Sequence, residues 1–210
     1  AAAALAPPGA RLPEGAVRIG GEARWSAATN ELFYGGEARL DDVRFPGVER
    51  GVAPGSLRAR YEGDAASLRL EDIDARLFGG VFSGSAQLDD PFGERRLGLD
   101  GEVEGFRLQP LIRAAAEMGG PDLRAAPWTS LVRARVRARA GTGRTAAAEA
   151  SVRLEAAGER PISGEVEARY DLATGRIDLP RVALETAEAK LGAEGSWLAS
   201  GAALDLRWTS

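Results

Sequence analysis

From Val132 to Ala140 the chain reads Val-Arg-Ala-Arg-Val-Arg-Ala-Arg-Ala, apolar at every even position and arginine at every odd one. A strand sends successive side chains to opposite faces, so this segment predicts one apolar face and one charged face. The same alternation runs through 17–25, 57–61, 148–156 and 162–170. The pattern predicts strands at 16–25, 32–40, 43–46, 56–62, 67–71, 73–79, 81–89, 95–104, 131–140, 146–156, 162–171, 175–179, 181–186, 188–198 and 202–208. Turn signals separate them, among them Asp89-Asp90-Pro91-Phe92-Gly93, Ala157-Gly158-Glu159-Arg160-Pro161 and Ala173-Thr174-Gly175. Connections this short join antiparallel neighbours into a meander.

One segment breaks the two-residue beat. Gln109 to Met118 carries Pro110 at a favourable first-turn position, helix formers after it, and Gly119-Gly120-Pro121 as a stop. It predicts a short helix over 109–118, with a loop over 119–128. Residues 1–14, rich in alanine and proline, read as a linker or disordered end, and 15–210 as one repetitive β segment.

An internal repeat is visible. Gly55-Ser-Leu-Arg-Ala-Arg-Tyr61 matches Gly164-Glu-Val-Glu-Ala-Arg-Tyr170. Seven residues after each tyrosine come Leu68-Arg69-Leu70 and Ile177-Asp178-Leu179, then Ile73 and Val182, then Gly84-Ser85 and Gly195-Ser196. Units near 55–90 and 164–198 that each bury one face by stacking follow the logic of an elongated array.

The apolar faces have three destinations: a second sheet, a closed barrel, or a curled trough left open for an apolar ligand. The positions concerned are Val17, Ile19, Leu57, Tyr61, Leu68, Leu70, Ile73, Leu77, Phe82, Leu88, Leu97, Leu99, Val132, Val136, Val152, Leu154, Val166, Tyr170, Ile177, Leu179, Val182 and Leu184. Between them stand small residues, including Ala59, Ala134, Ala138, Ala150, Ala168 and Ala189. Small residues fill a sandwich poorly, which favours a partly empty groove, while periodicity alone puts an ordinary sandwich or barrel ahead of it.

Composition narrows the chemistry. There is no cysteine and no histidine, which removes thiolate nucleophiles, Cys/His zinc sites and imidazole acid–base catalysis. The formal net charge of −4 argues against a nucleic-acid partner. No apolar run approaches the length of a membrane span, and Ala1 to Ala6 lacks the basic leader of a signal peptide. A start without methionine and a finish inside a strand pattern suggest a piece of a longer parent. No cofactor, metal or catalytic set is expected.

The run Leu68-Arg-Leu-Glu-Asp-Ile-Asp-Ala-Arg-Leu-Phe-Gly-Gly-Val-Phe-Ser-Gly-Ser-Ala-Gln-Leu88 resembles the signature of AsmA-like proteins: an apolar strand, an aromatic-Gly-Gly corner, then a glycine-started strand. Leu99 to Ile112 is similar to that family's strand running into a leucine-rich helix start, and Gly164 to Trp197 resembles TamB-type repeats of the same superfamily. The chain is far shorter than full members and lacks their N-terminal anchor. The resemblance implies a β-taco, a curled antiparallel sheet with a hydrophobic groove, in a bridge-like lipid transport protein. Such proteins sit in the bacterial cell envelope, anchored in the inner membrane and crossing the periplasm. Phospholipid acyl chains would lie in the groove, no catalysis would occur, and neighbouring segments of the parent chain and an outer-membrane barrel would be partners. A scaffold or chaperone module for outer membrane biogenesis and a plain structural β-sandwich stand as alternatives.

Three further features have plain explanations. The stripe Arg133, Arg135, Arg137, Arg139 reads as a solvated face paired with Glu149, Glu155, Glu165 and Glu167, with anionic headgroups as the functional option. Asp41-Asp42, Asp72/Asp74 and Asp89-Asp90 read as turn capping rather than a calcium site. Trp25, Trp128, Trp197 and Trp208 read as core or as plugs at a trough rim.

Overall fold

The computed structural model describes residues 13–28, 30–48, 52–90, 96–117, 125, 127–140, 147–171, 174, 176–198 and 204–209. The expected linker therefore lies almost wholly outside the described residues, as do most of the 119–128 loop and the turns around 91–95, 141–146 and 172–175.

The chain is all-β. Its strands are β1 (Glu14–Ser26), β2 (Glu31–Arg44), β3 (Gly55–Gly63), β4 (Ser67–Leu77), β5 (Gly80–Asp89), β6 (Arg96–Arg107), β7 (Ser130–Ala140), β8 (Ala147–Ala156), β9 (Ser163–Asp171), β10 (Arg176–Glu185), β11 (Lys190–Leu198) and β12 (Leu204–Thr209), with one helix, α1 (Leu108–Glu117), between β6 and β7. The strands pair in chain order as one antiparallel meander, so β1 and β12 are its two edges. The layer is open and uncurled. What it presents is a broad face rather than a bent trough, and among the described residues no second sheet covers it.

Three pairs of predicted strands are single strands. Segments 32–40 and 43–46 join as β2, 67–71 and 73–79 as β4, and 175–179 and 181–186 as β10. At each join the register shifts by one residue, between Leu40 and Val43, Leu70 and Ile73, and Leu179 and Val182. A bulge adds a residue without ending a strand, and it breaks the alternation just as a boundary would. β6 carries a fourth bulge between Val103 and Phe106, with Gly105 at φ 72°. In β2 and β4 the extra residue is Asp42 (φ 55°) or Asp72 (φ 48°), aspartate being among the few side chains that accept the left-handed region. These aspartates are bulge residues, which corrects their reading as turn caps. Among the described residues no acidic cluster is arranged to hold a metal ion.

The sequence repeat is a structural one. The bulges of β4 and β10 fall at equivalent places in the units β3–β5 and β9–β11. The aromatic-Gly-Gly corner is the β4–β5 hairpin, with Phe78 (φ 51°) and Gly79 (φ 84°) between the paired Leu77 and Gly80. Positive φ at both central residues is the type I′ geometry that suits the twist of a hairpin.

α1 sits at one end of the strands. Ala114 is fully buried there, with Phe78, Phe106, Val132, Leu154 and Ile162 around it. Phe45 and Phe106 flank the Phe78 ring at centroid distances of 4.6 and 5.5 Å. A Cβ added at Gly47 would meet the Glu117 side chain and the Arg113 carbonyl, so α1 reaches from β6 back to the exit of β2. Ten residues at 1.5 Å each give about 15 Å, the width of roughly three strand spacings. This small core is the compact part of the molecule.

Candidate functional site: a two-faced sheet

The register decides which side chains share a face. One row runs Val17, Leu40, Leu57, Ala75, Phe82, Val103, Ala134, Val152, Val166 and Val182, one residue from each of β1 to β10. The next runs Tyr61, Leu70, Ala86, Leu99, Ala138, Ala148, Tyr170 and Ile177 from β3 to β10. Between them lie Ile19, Ala38, Ala59, Ile73, Gly84, Gly101, Val136, Ala150, Ala168 and Leu179. Every apolar position picked out by the alternation falls on this one face. The bulges make that possible, because each restores the apolar parity after an out-of-phase pair such as Glu71-Asp72.

The face has two territories. Under α1, Val132 and Leu154 are buried, with Leu77, Phe82, Val152 and Leu184 packed against that cluster. Away from α1 the face lies open. Tyr61, Leu70, Leu88, Leu99, Val136 and Tyr170 are half-buried by their neighbours, and Val17, Ile19 and Leu97 are exposed. Small positions are partly filled from within the layer. A Cβ at Gly21 would lie 2.5 Å from the Tyr61 hydroxyl, and one at Gly101 would lie 2.4 Å from the Phe82 ring. Aromatic rings thus lean over glycines, and the empty space expected from the alanines and glycines is smaller than their count suggests.

The opposite face carries the charged positions of the strands, with Phe33, Val81 and Leu131 exposed among them. Arg133 pairs with Glu104 at 3.2 Å and Glu155 at 3.1 Å, Arg137 with Asp100 at 2.9 Å, and Arg135 with Glu102. The expected arginine-stripe pairing thus holds for Glu155 only. The other partners come from β6, which borders β7 as β8 does, whereas Glu165 lies on β9, two strands away. Glu165 instead meets Arg153 at 2.7 Å and Arg181 at 3.6 Å, and Glu149 meets Arg169 at 3.5 Å. The Arg153 guanidinium beside Glu165 holds its carboxyl below the usual range, and Arg39 does the same for Glu37. Asp64 is lowered by the backbone N–H groups of Ala66 and Ser67, which donate to it at 2.7 and 2.8 Å.

Trp25 is 60% exposed and Trp128 40%, which rules out the core alternative for both. The side chains of Trp197 and Trp208 lie outside the described set. The buried aromatics are instead Phe78 and Phe106, with Phe45 half-buried beside them. Phe78 and Phe106 stand inside the quoted corner and strand-to-helix motifs, where spacing alone gives no sign of burial.

A cleft of about 470 Å³ opens beside the start of α1, lined by Leu108, Gln109, Pro110, Thr129, Ser130 and Leu131. The Ser130 hydroxyl is occupied, donating to the Ile162 carbonyl. No buried side-chain polar atom lacks a partner among the described residues. No family model, curated protein or solved structure matches this chain.

Proposed function

We propose that this chain is a non-catalytic segment of an AsmA/TamB-like envelope protein, working in the periplasm, whose open apolar face shields phospholipid acyl chains in transit between membranes. The observation that carries the reading is a single layer whose one face is a continuous run of apolar rows from β1 to β10 while the other holds the charged positions. A soluble domain ordinarily covers such a face with a second layer. Withdrawing a methylene from water is worth about 0.8 kcal/mol, of which a flat face collects the share of one side of the chain. Rows of similar aliphatic side chains, crossing strand after strand without a deep subsite, let a tail slide rather than lodge. Headgroups stay in water at the margin of the face. Twelve strands at a spacing of about 4.8 Å give a path of roughly 53 Å along the stacking direction.

The test places a photo-crosslinking residue at Leu99 on the apolar face or at Ser85 on the charged face, in protein expressed in a bacterial periplasm. Phospholipid adducts from Leu99 and none from Ser85 are expected. Equal labelling, or none, overturns the reading.

The scaffold reading keeps one observation in its favour, since among the described residues no strand pairs with the outer side of β1 or β12. Crosslinks from β1 to an unfolded outer-membrane strand would support it.

A further inference from the structure

The β1–β2 hairpin projects beyond its neighbour. β3 ends at Gly63, which pairs with Tyr34, whereas β2 continues through Phe33, Leu32 and Glu31, each still paired with β1. Four residues separate the last pair in each hairpin, Ser26↔Glu31 and Gly63↔Leu68. The difference is therefore three residues of strand, about 10 Å.

That projection is apolar on both sides. Trp25 and Leu32 pair on the apolar face, 60% and 38% exposed, and Phe33 stands on the charged face, 49% exposed. β2 has a strand on each flank, so Leu32 and Phe33 owe their exposure to the early end of β3 and not to a sheet edge. Val81 and Leu131, also exposed on the charged face, are instead paired on both flanks. The turn Ala27-Ala28-Thr29-Asn30 carries no charge.

Such a tip fits a bilayer better than a docking groove, which seats one side of a hairpin and leaves the other wet. The headgroup layer is roughly 5–8 Å deep on each side. A projection of about 10 Å passes through it and sets Trp25, Leu32 and Phe33 at the acyl boundary. Tryptophan favours that depth, its ring apolar and its N–H wet. Trp25 and Leu32 also extend the apolar face outward, so a seated tip makes that face continuous with the acyl layer. We propose that the β1–β2 tip inserts into the surface of a phospholipid bilayer. The choice of a bilayer as partner rests on the lipid reading of the apolar face. Around the tip Glu22, Glu31, Glu62 and Asp64 outnumber Arg24 and Arg69. Apolar burial therefore drives the insertion, and anionic lipid does not strengthen it.

The chain has no cysteine, so one introduced thiol carries a polarity-sensitive fluorophore without ambiguity. Ala27→Cys places it on the tip and Ala65→Cys in the shorter β3–β4 turn, both exposed positions. With phosphatidylcholine vesicles, emission from position 27 should shift to the blue and emission from position 65 should not. Phe33→Ser should lower vesicle partition about tenfold, the share of one phenylalanine withdrawn from water, while the far-ultraviolet strand signal persists. Adhesion of the flat apolar face alone would be indifferent to that substitution, because Phe33 stands on the other side. Equal shifts at both positions, no shift, or a shift that raised protein concentration produces without vesicles overturns the proposal. So does partition indifferent to Phe33→Ser or strengthened by phosphatidylglycerol. Failure here with phospholipid adducts retained at Leu99 leaves the lipid reading standing, and vesicle insertion without adducts at Leu99 removes that reading alone.

Discussion

Single residues carry more of this architecture than the repeating pattern implies. Asp72 holds a left-handed backbone conformation in the middle of β4 and receives Arg60 on the charged face. Asp72→Asn keeps a side chain that tolerates that conformation, whereas Asp72→Val pays a steric penalty of roughly 1–2 kcal/mol. Thermal unfolding is expected to separate the two, with the valine protein melting lower. On the apolar face, Val136→Glu sets a carboxylate among alanines and leucines with no cation on that side. The protein should fold, since Val136 is only half-buried, yet lose lipid adducts at Leu99; retained adducts would count against the conduit. Alternation made this face legible in the sequence down to single residues. The aspartates were legible as acids but not as bulges, because an inserted residue and a strand boundary leave the same trace in a hydropathy pattern.

Elements differ in what holds them. α1 is pinned by one fully buried alanine, over which the aromatic trio of Phe45, Phe78 and Phe106 closes. Phe106→Ala should cost about 3–5 kcal/mol as a large-to-small change in a packed site. Ala114→Leu should cost about 1–3 kcal/mol by overfilling it. Denaturant midpoints measure both, and lipid labelling at Leu99, outside that territory, should survive the second. The helix itself could be placed within a residue from proline, helix formers and a glycine stop. Its seat could not, because a ten-residue amphipathic segment fits either face of an unknown neighbour until the topology is fixed.

Three carboxylates titrate below the ordinary range in the folded state: Glu165, which ties β9 to Arg153 of β8 and Arg181 of β10, Glu37, paired with Arg39 along β2, and Asp64, held by backbone N–H groups in the β3–β4 turn. For groups lowered in this way, the contribution to stability is complete above the ordinary carboxylate pKa and fades as pH falls through the lowered value. Melting temperature should therefore drop between about pH 5 and pH 3. Glu165→Gln should flatten part of that drop; an unchanged profile would show that the pairs are too exposed to matter.

Taken whole, the molecule is a sheet with a small core at one end, and its size does not bring a proportionate interior. Among the described residues ten apolar side chains are buried, five of them alanine or valine, around the aromatic cluster at α1 or along the strands. The all-β class, the meander and the repeat follow from strand spacing and short turns. That the sheet remains one open layer does not, since identical alternation serves sandwiches, barrels and open sheets alike. The choice among them rests on how many large side chains are available to interdigitate, and here alanine and glycine occupy much of the face. No helix described is long and apolar enough to cross a membrane.

The bulges also govern how such a chain tolerates changes in length. Deleting Asp72 alone would remove the bulge and leave Leu70, Ile73, Ala75 and Leu77 in plain alternation on one face, whereas deleting a residue that the alternation counts, such as Arg69, would turn Leu68 to the charged side. Removing a complete adjacent pair, such as β8 with β9, would bring an odd strand beside an even one with orientation and sidedness intact. Gains and losses over evolutionary time should accordingly arrive as whole hairpins, and lone-codon deletions inside strands should be purged except at the bulges, where removal of the extra residue keeps the apolar parity.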